Sequence, residues 1–496
     1  MVFATSGPGA ANLITGIATA NMDSVPLVCI TGQVANPAIG KDSFQEVDVY
    51  GITTPITKHN YLVKDVRELP RVIKEAFFIA RTGRPGPVSI DVAADVFPAE
   101  FDYEYPDAVK LRGYTGDYRG DASEIDRAAE AVEEAERPLV FFGGGVTSSD
   151  TSEELRAIVE HLGVPSTSTL MGLGCIPSDA KGFLGFAGMH GAYGANMAIQ
   201  ECDLLLCIGM RFSDRVTGRV AEFAPKAKII HFELDPAEIN KNVAADCRVL
   251  GDLRWSLPLL RDKLRASKTD FREKYAEWTR HVMDVAAEHP FSYAQEGDAI
   301  KPGALIGKIS DLMDENTIVV TDVGQHQMWA AQFYRAGKPR QFLTSGGLGT
   351  MGFGLPAAMG AKIACPGKKV VLLTGDGSIM MNCQEFATIA DHDVDVKVVI
   401  LENHLLGMVG QWQRLFYNHH YSASELKGKR DFVKLAEAMG LRGYRLEKTE
   451  ELETRLPEIL AEPGPAVIDC IVPKEENVLP MVPGGKRLDQ MVLGGD

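Results

Sequence analysis

Short apolar runs alternate along the chain with helical stretches of small or charged residues. PLVCITG and GPVSIDVA fall in the first hundred residues. RPLVFFGGG, LGVPSTST, DLLLCIGMRFSDR and KIIHFELDPAEI follow in a second block, and NTIVVTDVG, RQFLTSGG, KKVVLLTGDG, DVKVVILEN and GPAVIDCIV in a third. These runs are continuous instead of alternating, which predicts strands covered on both faces. Strands alternating with helices predict a parallel sheet in each block. At the start, residues 2–5 predict the end of a buried strand, Ser6-Gly7-Pro8-Gly9 a tight turn, and residues 10–21 a helix. The aromatic, polar stretch 101–121 reads as a linker, and residues 253–290 as a charged helical segment between the second and third blocks. The first block also echoes the third: SGPGAANLITGIATA before VPLVCITG resembles SGGLGTMGFGLPAAMGAKIA before KKVVLLTGDG.

A chain of 496 residues has room for about three domains. Its net charge of -16 and lack of a basic stripe argue against nucleic acid, although glycine turns and helix N-termini bind phosphate without net positive charge. Eight scattered cysteines without a CxxC pair, several inside apolar runs, point to core packing in a reducing cytoplasm. No apolar run approaches the ~18 residues of a membrane span.

The segment from Gly375 to Gln413 carries the most chemistry. A strand ends at Gly375-Asp376-Gly377, a helix follows, and a second strand ends at Glu402-Asn403. Parallel strands end on one edge, so Asp376 and Asn403 can offer two hard oxygen ligands to one cation. The flanking glycines and Ser378 allow close approach of a phosphate. Mg²⁺ suits few protein oxygens completed by diphosphate and water. GDG alone is a common turn; the strand–helix–strand spacing of 27 residues is more specific. In the second block, Gly143-Gly144-Gly145 after a strand could present backbone N–H groups to a phosphate, and Glu233 and Asp235 follow a strand where an acid can bind ribose.

These segments resemble the thiamine-diphosphate-dependent enzymes, and among them the acetolactate synthase large subunits. GKDSFQEVDVYGITTPITKHNYLV, GRPGPV, GMHG, RFSDRVTGR, VGQHQMW, SGGLGTMGFGLPAA, GDGS, LGMVGQWQ and VLPMVPGG carry the likeness over essentially the whole chain. The resemblance implies an α/β fold of three doubly wound parallel-sheet domains: a pyrimidine-binding domain at 1–100, a central FAD-binding domain at 120–265 and a diphosphate-binding domain at 295–473, followed by a tail at 474–496. It implies Mg²⁺ on Asp376, Asn403 and the Leu405 carbonyl. Thiamine diphosphate would lie among Val323, Gly324, Gln325, His326, Gly349, Met351, Gly375, Gly377, Ser378, Gly407 and Met408. A non-redox FAD would lie near Arg84, Gly143, Gly144, Gly145, Met189, His190, Gly191, Arg211, Asp214, Arg215, Glu233 and Asp235. Phe44 and Gln45 would line the substrate pocket, and Trp412 would shape its acceptor side while also packing in the core. The implied reaction decarboxylates pyruvate and joins it to a second 2-oxo acid, pyruvate or 2-oxobutyrate, in branched-chain amino-acid synthesis. A cytoplasmic homodimer or homotetramer, with room for a small regulatory subunit and no nucleic-acid or membrane partner, is the expected assembly. Its cofactor sites in the family form between the first domain of one subunit and the third of another.

Four departures qualify the likeness. The glutamate that activates the cofactor would precede Val2, so an incomplete first domain, truncated at its N-terminus, is the expectation. Ala35 stands in place of proline, Ala94 in place of lysine near the substrate entrance, and Glu402 in place of the first asparagine of an Asn-Asn pair. Two alternatives stay open: a related carboligase or decarboxylase, and a non-catalytic subunit.

Overall fold

The computed structural model describes residues 1–116, 118–295, 297–427 and 430–494. Asp117 in the expected linker, Glu296 and Gly428–Lys429 in the third block, and Gly495–Asp496 at the end of the tail lie outside the described residues. Two compact units form: residues 1–118 with 345–350, and residues 119–344 with 351–496.

The first unit holds a four-stranded sheet of β1 (Val2–Ala4), β2 (Leu27–Gln33), β3 (His59–Val63) and β4 (Pro87–Ala93). All pairings are parallel, in the order β1-β2-β4-β3. β4 is buried throughout, as a central strand with both faces covered should be. β1 corrects the expectation of a buried strand: it pairs on one side only, and Phe3 is 65% exposed. The helix expected at 10–21 is broken. It begins earlier, at Pro8, whose fixed φ and missing N–H suit a first helical turn. It then stops, because the Leu13 amide bonds back to the Ala10 carbonyl (3.1 Å), and a second helix runs Ile14–Met22. The expected linker has no helix or strand, but it packs down. Lys74 Nζ lies 4.8 Å from the Tyr105 ring centroid and donates to the Pro106 carbonyl, and Leu111 packs on the apolar cluster around β4.

The second unit contains two six-stranded parallel sheets. The central one comprises β5 (Pro138–Phe142), β6 (Ser166–Ser168), β7 (Phe183–Phe186), β8 (Leu204–Ile208), β9 (Lys228–Glu233) and β10 (Cys247–Leu250), in the order β10-β9-β8-β5-β6-β7. The chain therefore reverses direction across the sheet between β5 and β8, where a doubly wound sheet opens a crevice. The other comprises β11 (Thr317–Thr321), β12 (Phe342–Leu343), β13 (Lys369–Gly375), β14 (Lys397–Glu402), β15 (Arg442–Leu446) and β16 (Ala466–Ile471), in the order β12-β11-β13-β14-β16-β15. Its crevice opens between β11 and β13.

The four strands of the first sheet repeat the order of β13, β14, β16 and β15. By that order the turn after β1 (Ser6–Gly9) corresponds to the turn after β13 (Gly375–Ser378). The sequence echo had paired it with Ser345–Gly347, one strand–helix unit too early. The residues after β16 pack down: Val478 is buried in the apolar cluster of the third sheet, Val482 and Leu488 in that of the central sheet, and Met481 is buried as well. Six of the eight cysteines are buried and none is bonded to another.

Candidate active site

Two turns meet at the crevice of the third sheet. After β11 the chain passes Asp322-Val323-Gly324 into the helix Gln325–Phe333. After β13 it passes Gly375-Asp376-Gly377-Ser378, and Ser378 Oγ donates to the Val323 carbonyl (2.8 Å), tying the turns together. His326 fills the space between them. A methyl group on Gly375 would stand 2.8 Å from His326 Nδ1, and one on Gly324 would stand 2.9 Å from its Cε1, so only glycine admits the ring. His326 is buried, its Nε2 has no hydrogen bond among the described residues, and burial pushes its pKa down to about 3. Asp322, which the sequence motifs do not single out, is fully buried and accepts from the Val323 amide (2.8 Å) and the Gly352 amide (2.9 Å). It thereby fixes the turn bearing Met351, whose Cε lies 3.8 Å from where a Gly377 Cβ would be.

Asp376 is 1% exposed; burial pushes its carboxyl up to about 7, and Oδ2 has no hydrogen-bond partner among the described residues. β13 pairs with β14 so that Gly375 lies beside Leu401. One step further on, Asp376 meets Glu402. Asn403, the next residue, donates from Nδ2 to Gln325 Oε1 (3.3 Å), and its Oδ1 accepts from the Leu405 amide (3.1 Å). Leu405 is buried, and Gly407 opens the helix Gly407–Phe416, where a Cβ would collide with Gln325 Oε1 at 2.1 Å. Met408 packs on the core of this sheet. Trp412 is half-buried. Its ring meets Phe416 edge-on and faces Gly484, so it covers the C-terminal segment instead of joining a core cluster, because only Gly410 and Gln411 of this helix are buried. Gln411, also missed, is fully buried. It accepts from Gln325 Nε2 (2.8 Å) and the Val478 amide (2.8 Å), and donates to the Val478 carbonyl (3.2 Å).

In the central sheet two amides of the triple glycine are bonded within the protein. The Gly143 amide bonds to the Ile208 carbonyl (3.0 Å) and the Gly145 amide to the Gly209 carbonyl (2.8 Å). Cβ atoms on Gly143 and Gly145 would stand 2.7 Å from Met210 and Gly209, while one on Gly144 would stand 3.1 Å from Met171. The glycines therefore let the helix after β5 press against the turn after β8. Arg211, Asp214 and Arg215 follow β8; Asp214 and Arg215 pair at 3.0 Å on the surface. Glu233 Oε1 accepts from the Leu234 and Asp235 amides, and Asp235 caps the Ala237 amide. A cavity of about 130 Å³ is lined by Met189, Asp214, Arg215, Gly218 and residues 482–485. His190 beside it is buried, with Nδ1 unpartnered among the described residues, and Gly191 turns back with its amide on the Gly188 carbonyl (3.0 Å).

The first unit holds the remaining predicted residues. Phe44 is 89% exposed, Gln45 has φ of 61°, and Gly7 passes so close to Gln45 that a Cβ there would stand 2.7 Å from its carbonyl oxygen. Arg84 Nε donates to Ser24 Oγ (2.9 Å). Gly349, with φ of 70°, lies in the 345–350 segment, which joins this unit through the Gly347 amide on Asp23 Oδ1 (2.6 Å) and Thr350 Oγ1 against Thr19 Oγ1 (2.7 Å).

Three family descriptions match in succession: the thiamine pyrophosphate enzyme N-terminal TPP binding domain over residues 1–52, the central domain over 125–260, and the C-terminal TPP binding domain over 322–470. The probable acetolactate synthase large subunit of Methanocaldococcus jannaschii is 46% identical over 498 residues, covering 98% of this chain and 83% of the relative. The acetolactate synthase isozyme 2 large subunit of Escherichia coli (strain K12) is 44% identical over 489 residues, covering 99% and 87%. The chain belongs to the acetolactate synthase large-subunit family. It is thus a thiamine-diphosphate-dependent enzyme, and the three parallel sheets are those of the family's N-terminal, central and C-terminal domains. The family's C-terminal domain spans both turns of the β11/β13 crevice, from Asp322 through Asn403. Asp322 and Gln411 escaped the sequence reading because each acts through partners far along the chain. The only signals were an acid at the end of an apolar strand and the first glutamine of GQWQ.

Proposed function

We propose that the chain condenses pyruvate with a second 2-oxo acid, releasing CO₂, to form 2-acetolactate from pyruvate or 2-aceto-2-hydroxybutyrate from 2-oxobutyrate, in branched-chain amino-acid synthesis. The observation that carries this reading is Asp376: a buried carboxylate with an unpartnered oxygen, between two glycines at the crevice of a thiamine-diphosphate domain. Such an oxygen fits a hard dication, and Asn403 and the Leu405 carbonyl complete the protein side for Mg²⁺. The glycine turns, with Gln325, His326 and Ser378, fit the diphosphate, and Met351 and Met408 offer apolar surface to the rings. Bound there, thiamine diphosphate supplies the electron sink that decarboxylation requires. His326, held neutral by burial, can donate or accept one hydrogen bond without adding charge beside the anion. Phe44, Gln45 and Trp412 are assigned to the 2-oxo acids.

FAD is the second cofactor of this reading. The switch point between β5 and β8, the acids after β9, and the cavity at Met189, Asp214 and Arg215, beside the unpartnered His190, fit a dinucleotide. The active form is a homodimer or homotetramer that can take a regulatory subunit.

Purified protein incubated with pyruvate, thiamine diphosphate and Mg²⁺ should yield acetolactate and be yellow when native. Asp376→Asn should lower the rate at least about a hundredfold, by removing an ionic metal ligand. Free acetaldehyde as the main product would favour a decarboxylase, and no turnover at all would refute the assignment.

A further inference from the structure

Glu402 closes β14, and His404 follows it two residues on, with Asn403 between them. Asp376 and Glu402 sit side by side, one step beyond the last β13–β14 pair. His404, with φ of 56°, brings Nδ1 to 3.3 Å from Glu402 Oε1. One donor atom from each of Asp376, Glu402 and His404 lies within 4.8 Å of the other two. The two carboxylates are 1% and 2% exposed, and neither Asp376 Oδ2 nor Glu402 Oε1 makes a hydrogen bond among the described residues. Buried carboxylate oxygens without donors are costly, and although the Arg430 charge acts on Asp376, a cation between the two carboxylates would satisfy both open oxygens. Asp469 stands behind Glu402 in hydrogen-bond contact and is itself held by Arg445 (2.9 Å), the outer-shell arrangement that orients a ligating carboxylate. The His404 side chain is 56% exposed and leaves an open side for an ion to enter.

We propose that Asp376, Glu402 and His404 form a site for a first-row transition dication that fills without any diphosphate. Two carboxylates and an imidazole suit Mn²⁺, Co²⁺ or Zn²⁺, whereas Mg²⁺ prefers oxygen ligands and gives up water reluctantly. The site shares Asp376 with the oxygen set assigned to Mg²⁺ but takes two side chains that set does not use. One of them, Glu402, is among the residues that depart from the pattern of the resemblance. The inference rests on this local geometry and not on the reaction, so a failure to make acetolactate would leave it standing.

The test is titration of the full-length protein, freed of thiamine diphosphate, with Co²⁺ alone, followed by its visible absorption and by equilibrium dialysis. One Co²⁺ per chain is expected, with an imidazole-to-cobalt signature and little displacement by excess Mg²⁺. Glu402→Asn and His404→Gln should each weaken binding at least about tenfold. His404 is surface-exposed, so its variant keeps the fold even if Glu402→Asn does not, and thermal unfolding checks both. No stoichiometric binding, or equal binding by wild type and a folded His404→Gln, would overturn the proposal.

Discussion

Gly375 and Gly377 flank the same carboxylate, yet a methyl group added to each meets different resistance. At Gly375 it would stand 2.8 Å from Nδ1 and 3.1 Å from Cε1 of His326, a buried ring pinned between two turns. At Gly377 the nearest atoms are Leu406 Cδ2 (2.6 Å), Leu426 Cδ1 and Met351 Cε, all at the ends of flexible side chains. Gly375→Ala should therefore destabilise the cofactor-free protein by about 1–3 kcal/mol, and Gly377→Ala by less than about 1 kcal/mol, measured by urea unfolding. At this scale the sequence showed the metal-type acid, because a Gly-Asp-Gly turn at the end of an apolar strand has a local signature. It could not show the neighbour of Asp376. The strand register sets Glu402 next in line beside it, while the Asn403 amide donates to Gln325.

Elements were more legible than their junctions. The strands of all three sheets stand out as apolar runs, since burial on both faces leaves no polar alternation to confuse. The break at Asn12–Leu13, the exposed β1 and the packed C-terminal segment were not legible, because each depends on what lies alongside. The C-terminal segment shows the cause. One side chain, Gln411, bonds both the amide and the carbonyl of Val478 and also receives Gln325 Nε2, far from either in sequence. Gln411→Ala would leave those buried backbone groups unpaired, for a loss of about 2–3 kcal/mol. Residues after Ile471 should then become the first site of cleavage in limited proteolysis, with the three sheets intact by circular dichroism. Unchanged protection of this segment would show that its apolar contacts alone hold it.

Across the whole molecule, buried titratable groups oppose one another, and the sign of the pH dependence follows from which are still titrating. Burial lowers His190 to about 4 and His326 to about 3, so below pH ~6.5 the unfolded chain binds protons that the folded chain refuses. These two groups make stability rise with pH up to that point and contribute no slope beyond it. Burial raises Asp376 to about 7, and burial with Asp469 and Asp376 nearby raises Glu402 to about 8. Both stay protonated in the folded chain after they have ionised in the unfolded one, so they make stability fall as pH rises from ~4 toward those values. From pH 6.5 to 8 the histidines have dropped out and the carboxyls have not. The metal-free protein should therefore lose about 1–2 kcal/mol over that range, read as a falling Tm. A dication replaces those protons, so added Mn²⁺ should raise Tm more at pH 8 than at pH 6.5. A metal-free Tm that is flat or rising over this interval would mean that Asp376 and Glu402 are already ionised in the folded chain, their burial compensated by charges around them.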